Sequence, residues 1–102
     1  MAVQQWLSVD LKEHIKSGKP LQIIDVREPM EFRGGHIPGA KLVPLGHIQV
    51  RHKEIDPNVD TVVVCRSGAR SFMAAQFLAQ IGHGKIKNLM GGMNSWDGEI
   101  HV

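Results

Sequence analysis

Apolar positions along the chain fall in short blocks, set apart by glycine, proline and polar turns. Thr61-Val62-Val63-Val64 is β-branched throughout and almost wholly apolar, which suits a strand buried on both faces. Leu21 to Val26 reads as a second strand, apolar apart from Gln22 until it reaches Asp25. Lys85-Ile86-Lys87-Asn88-Leu89 alternates as a strand does, and Lys41-Leu42-Val43 is a short one. Gln5-Trp6-Leu7 is a short strand at an edge of the sheet. Helical spacing fills the gaps. Ser8 or Asp10 can cap a helix to about Ser17, with Leu11 and Ile15 on its buried side and Lys12, Glu13 and Lys16 in water. Gly18 and Pro20 stop it.

Glu31-Phe32-Arg33 fits a helical turn broken by Gly34-Gly35, and Pro44 opens a helix to about His52 that Gly46 weakens. Asp56-Pro57-Asn58 is a turn. Ser71 opens a stronger helix, Phe72 to Ile81. Met73, Phe77 and Ile81 form one row of core residues and Ala74 with Leu78 the next. Ala75 and Ala79 let the helix lie close to a sheet, Gln76 and Gln80 mark its outer side, and Gly82 ends it. Gly91-Gly92 then turns into a short helix carrying Trp96, which is read as closing the core. Strands alternating with helices predict an α/β fold, a parallel sheet covered on both faces.

Length and composition narrow the setting. A chain of 102 residues is read as one domain spanning 1–102, and 42% apolar with 22% charged residues is ordinary for a soluble protein. The net charge of +2 is too small, and Arg51-His52-Lys53 too short, to predict a nucleic-acid partner. The N-terminus lacks a basic, then apolar leader, and no apolar run approaches the ~20 residues that span a bilayer. The six histidines are not spaced with carboxylates or thiols as metal ligands, so no metal and no cofactor is expected. A monomer is expected.

The single cysteine changes the picture most. It excludes a disulfide within the chain and fits a reducing, cytoplasmic setting. With no second thiol to resolve it, any sulfur that Cys65 carries must pass to or from another molecule. Cys65 ends the most apolar strand and is followed by Arg66-Ser67-Gly68-Ala69-Arg70, then by a helix start at Ser71. A lone cysteine is usually a small core residue, but a packing residue has no use for a cationic loop. Orphan amides at a helix start favour an anion, and flanking arginines favour thiolate over thiol. Asp25 lies at the end of another strand. In parallel sheets the ligand sits beyond these carboxyl ends.

Cys65-Arg66-Ser67-Gly68-Ala69-Arg70-Ser71 resembles the active-site loop of the rhodanese family of sulfurtransferases. Three more segments resemble that family in its order: Asp25-Val26-Arg27 with Glu31-Phe32, then Gly35-His36-Ile37-Pro38-Gly39-Ala40, then Gly91-Gly92 with Trp96. The resemblance runs from about Gln5 to Trp96. It implies a three-layer domain with a mainly parallel five-stranded sheet between helices. It also implies Cys65 as nucleophile, with Arg66, Ser67, Gly68, Ala69, Arg70 and Ser71 cradling the substrate. Asp25 and Arg27 would help hold the shape of the loop, and Trp96 would lie near a wall of the pocket; His36 is read from its own neighbours as fixing the turn His36 to Ala40. The implied reaction is transfer of a sulfane sulfur from a small anion such as thiosulfate to cyanide or a thiol, through a persulfide on Cys65.

Two roles remain open for Arg70, binding the donor or bracing the loop. Three rival functions use similar parts. A sulfur carrier, loaded by a protein donor and unloaded onto a protein acceptor, would share the loop. A cysteine-dependent phosphatase would need a loop one residue longer than the four residues between Cys65 and Arg70. A regulatory module of this fold would not need its cysteine.

Overall fold

The computed structural model describes residues 3–102; Met1 and Ala2, the start of the stretch read for a leader, lie outside the described residues. Five strands form one sheet: β1 (Gln4–Trp6), β2 (Gln22–Asp25), β3 (Lys41–Leu42), β4 (Thr61–Val64) and β5 (Ile86–Leu89). Their order is β1-β5-β4-β2-β3, and every neighbouring pair is parallel. Parallel neighbours need a crossover between them, and helices supply it. These are α1 (Ser8–Ser17), α2 (Pro29–Arg33), α3 (Ile48–Arg51), α4 (Ala69–Gln80) and α5 (Gly92–Ser95). None of them is long and apolar enough to cross a membrane.

β4 lies at the centre, and its four residues are all buried, as an apolar β-branched run requires. Alternate side chains feed two cores. On one face Ile24, Val26, Val63, Cys65 and Ile86 pack against Ala74, Ala75, Leu78 and Ala79 of α4 and Ile48 of α3. On the other, Ile23, Val62, Val64 and Leu89 meet Leu11 of α1, with Met93 and Trp96 packed alongside. Cys65 therefore points toward α4.

Several elements differ from the pattern-based expectation. α4 begins at Ala69, two residues before Ser71, with Gly68 as its N-cap at φ +104°. Its buried stripe is Ser71, Ala74, Ala75, Leu78 and Ala79. Met73 is 61% exposed and Ile81 43%, so two of the three residues in the row read as core face outward, while the half-buried Phe77 still packs against the core. The alanines permit such close approach that the narrow stripe they share with Leu78 fills the interface. Ile15 is likewise 44% exposed, leaving Leu11 as the one buried residue of α1.

Neither Ser8 nor Asp10 is the N-cap of α1. Leu7 holds that place, Asp10 Oδ2 accepts its N–H at 2.7 Å, and the Ser8 hydroxyl donates to Asp97 at 2.8 Å. The helix expected from Pro44 to His52 is broken into a 3-10 turn, the four residues of α3 and a second 3-10 turn. β5 does not alternate between core and water, because all four residues are buried between β1 and β4. Lys87 there pairs with Asp60, and Asn88 turns under α4.

Leu78→Ala should cost about 2–5 kcal/mol of stability in a urea titration, because it empties a fully buried site. Met73→Ala should change it by no more than about 0.5 kcal/mol. Comparable losses would return the Met73 row to the core.

Candidate active site

The loop from Cys65 to Ser71 crosses the carboxyl end of β4 and runs directly into α4. Gly68 has the positive φ that turns the chain back over the sulfur, where a side chain would be strained. Its N–H donates to Cys65 Sγ at 3.1 Å, and the Ser71 hydroxyl lies 3.3 Å from the same sulfur. Cys65 is only 1% exposed. Burial is the largest influence on the thiol and pushes its pKa up. It is outweighed by hydrogen bonds from the Ser71 hydroxyl and from the Ser71, Gly68 and Ser67 N–H groups, so the pKa ends below the ordinary thiol value. The sulfur rests in a cradle of fixed donors.

The two arginines are held differently. Arg70 makes a two-pronged contact with Glu31, Nη1 to Oε1 at 2.9 Å and Nη2 to Oε2 at 3.0 Å. Of the two roles left open for Arg70, bracing the loop matches this geometry. Arg66 Nε also reaches Glu31, more weakly at 3.4 Å, while its side chain stays 66% exposed. Arg66 is thus the loop guanidinium most free to meet an incoming anion. Glu31 also secures the start of α2, where its Oε1 accepts the Glu28 N–H at 2.9 Å. The Arg70 contact, above all, holds the Glu31 carboxyl at about 2, well below the usual carboxylate range.

Behind the loop, α5 clamps it through the main chain. Met93 and Asn94 N–H groups donate to the Cys65 and Arg66 carbonyls, both at 2.9 Å. Gly92 makes this approach possible, since a Cβ there would stand 2.4 Å from the Cys65 oxygen and 2.6 Å from the Arg66 oxygen. Below, Asn88 Nδ2 donates to the Gly68 carbonyl at 3.2 Å, and its Oδ1 accepts from Ser71 at 2.5 Å.

Asp25 and Arg27 form a buried pair at the end of β2. Arg27 Nη2 donates to Asp25 Oδ2 and to the Gly35 carbonyl, both at 2.8 Å. The pair anchors the turn beyond Gly35 and is not among the hydrogen-bond partners of the sulfur. His36 stacks on Phe32 with ring centroids 3.8 Å apart, and its Nδ1 lies 2.9 Å from the Phe32 carbonyl. Both contacts tie His36 back to Phe32 of α2. Trp96 donates Nε1–H to the Glu99 carbonyl at 2.9 Å. It lines a groove of about 510 Å³ with Val9, Lys12, Ile15 and Pro38, a groove that no residue of the Cys65 loop lines.

The residues that sequence reasoning passed over are Glu31 as the brace of both arginines, Asn88 as a support of Ser71, and Gly92 as a point of close approach. Glu28-Pro29-Met30-Glu31 carries a capping signature that could have flagged Glu31. A lone asparagine within an otherwise ordinary strand gives no such signal.

The family described as Rhodanese-like domain matches residues 8–99. A sulfurtransferase of Allochromatium vinosum is 38% identical over 89 residues, which cover 87% of this chain and 83% of that one. A Bacillus subtilis protein provisionally named sulfur carrier protein YrkF is 39% identical over 88 residues. The match covers 86% of this chain but 48% of that protein, so the chain spans about half of its length. The crystal structure of a rhodanese-like domain protein from Staphylococcus aureus superposes with a TM-score of 0.91 at 32% identity, covering 98% of both chains.

Glu31→Gln should weaken the brace on Arg70 and lower stability at pH 7 by about 1 kcal/mol, a value held down by solvent at this partly exposed pair. Because the carboxyl falls from 4.5 to about 2 on folding, its contribution is complete above 4.5 and fades as pH drops toward 2. Denaturation of both proteins across this range should show the gap closing on the acid side.

Proposed function

The chain belongs to the rhodanese-like domain family, and on that footing we propose that it is a sulfurtransferase working through a persulfide on Cys65. The observation that carries this reading is the buried sulfur met by the Gly68 N–H at 3.1 Å and by Ser71 at 3.3 Å, with its pKa lowered. With thiosulfate as donor, the Cys65 thiolate attacks the outer, sulfane sulfur. The bond between the two donor sulfurs breaks, and sulfite leaves with its electron pair. Cys65 then carries a terminal, anionic sulfur that the amides from Arg66 to Ser71 can cradle. Cyanide or a thiolate attacks this outer sulfur, takes it as thiocyanate or a new persulfide, and restores the thiolate. Each half-reaction is complete before the next begins, so ping-pong kinetics are expected.

Arg66 is assigned to draw in the anionic donor, and Arg70 with Glu31 to hold the loop in shape. Asp25, Arg27, His36 and Trp96 support the surrounding turns. A loop with four residues between Cys65 and Arg70 is too tight for a tetrahedral phosphate, which sets the phosphatase reading aside. One cysteine that must stay reduced suits a cytoplasmic setting.

A second reading, a sulfur carrier between proteins, is favoured by a specific feature. Glu31 already pairs with Arg70 and touches Arg66, so the pull on a free dianion is weaker than two bare guanidiniums would exert. A protein donor does not depend on that pull. The carrier name of the Bacillus subtilis relative points the same way.

Intact mass separates the outcomes. Thiosulfate should add one sulfur atom to the wild type, cyanide should remove it, and Cys65→Ser should gain nothing. No gain with thiosulfate, but a gain from a protein persulfide donor, would establish the carrier. No gain from either would refute the persulfide mechanism.

A further inference from the structure

Asn88 lies near the end of β5, buried on the same face of the sheet as Ile86, beneath the first turn of α4. The orientation of its amide follows from its partners. One terminal atom is 3.2 Å from the Gly68 carbonyl, which can only accept, so that atom is Nδ2; it also donates to Gln5 Oε1 at 3.0 Å. The other, Oδ1, can only accept, and Ser71 Oγ is 2.5 Å away. Ser71 has one hydroxyl proton and two close neighbours that want it, Asn88 Oδ1 and Cys65 Sγ at 3.3 Å. The shorter contact takes it. A neutral thiol is then content, because it can donate its own proton to the free lone pair of Ser71. A thiolate is not, until the hydroxyl turns away from Asn88.

We propose that Asn88 is a positioning residue that tunes the Cys65 nucleophile through Ser71, by competing with the sulfur for the single Ser71 proton. The inference rests on Cys65 as the working nucleophile. On ionisation the S–H bond breaks, the proton leaves to solvent, and the electron pair stays on sulfur. The Ser71 O–H then swings from Asn88 Oδ1 to Sγ, so part of what the hydroxyl gives the thiolate is offset by the bond that Asn88 loses. This restraint has a chemical use. A thiolate loses intrinsic nucleophilicity as its pKa falls, and the best attacking thiol titrates near the ambient pH. The amides of the loop push the sulfur one way, and Asn88 holds it back.

The charges around the sulfur do not depend on Asn88. Arg66 on the loop and Arg70 on α4 are engaged by Glu31 of α2, with Glu28 at the start of that helix. Asp25 and Arg27 at the end of β2 are paired to each other. On β5 itself, Lys87 is paired with Asp60, and α5 carries no charged residue. A shift caused by changing Asn88 therefore comes through the Ser71 proton or through the Gly68 carbonyl that Nδ2 supports, and the Ser71→Ala background separates the two.

The test is the rate of iodoacetamide alkylation against pH, followed by intact mass on the full chain, whose one cysteine gives one adduct. Asn88→Leu keeps the branching and the number of side-chain heavy atoms, removes the acceptor, and fills more space than asparagine, so no water takes the acceptor's place. The midpoint should fall by about one pH unit, and the plateau rate at high pH by about threefold, as a weaker base attacks more slowly. On a Ser71→Ala background the same substitution should move neither. A midpoint that rises or stays, or that shifts equally in both backgrounds, overturns the proposal, since loss of loop support alone would expose the sulfur without regard to Ser71. Should circular dichroism show that Asn88→Leu does not fold, Asn88→Asp decides. Its charged acceptor should raise the midpoint by more with Ser71 present than with Ser71→Ala, and equal shifts would again overturn it. Alkylation needs no sulfur donor, so failure to load thiosulfate would sink the proposed transfer reaction and leave this result standing.

Discussion

A charge on a sulfur that is almost wholly buried is costly unless fixed dipoles meet it, and the rest of this structure follows from that constraint. The donors around Cys65 are backbone N–H groups and one hydroxyl, and they help only while the loop holds its shape. Small displacements would turn a stabilising cradle into a desolvation penalty. The loop is accordingly tied on three sides: by the Glu31–Arg70 fork from α2, by the Met93 and Asn94 amides of α5, and by Asn88 from β5 below. The clamp from α5 explains Gly92, where any side chain would collide with the Cys65 and Arg66 carbonyls.

The same logic separates the two arginines. An arginine that braces a loop must be held by a fixed carboxylate, and Arg70 is. Arg66 is held more loosely, at 3.4 Å from the same carboxylate, and keeps most of its side chain in water, which is what the proposed role of meeting an incoming anion requires. Asp25 and Arg27 repeat the bracing device one strand away, where their pair carries the Gly35 carbonyl and with it the turn containing His36 and Pro38. Buried ion pairs of this kind add little net stability but are expensive to break by halves. Their value here is geometric.

Much of the fold was legible in residue order. The β-branched run Thr61–Val64 could only be a buried strand, Gly18 and Gly82 marked helix ends, and the position of Cys65 between strand and helix placed the sulfur at the carboxyl edge of the sheet. Less legible were faces and contacts. Met73, Phe77 and Ile81 make an apolar row, yet only Phe77 of the three packs against the core and the helix turns its alanines inward, because the depth of the interface with β4 and β5 selects small residues. Lys85 to Leu89 looks like an alternating strand, yet both polar residues within β5 are buried, since β1 pairs on its far side.

What the sequence determined by itself is local: which stretches are strands, where the chain must turn with positive φ, and which residue types surround the one thiol. These depend on backbone preference and on neighbours in the chain. What the tertiary structure alone decided is which distant residue takes each unpaired donor and acceptor. Glu31 lies 39 residues from Arg70 and Asn88 lies 17 from Ser71, and no periodicity joins such pairs. They meet because a parallel sheet brings the ends of its strands to one edge, and there their unsatisfied polar groups have only one another.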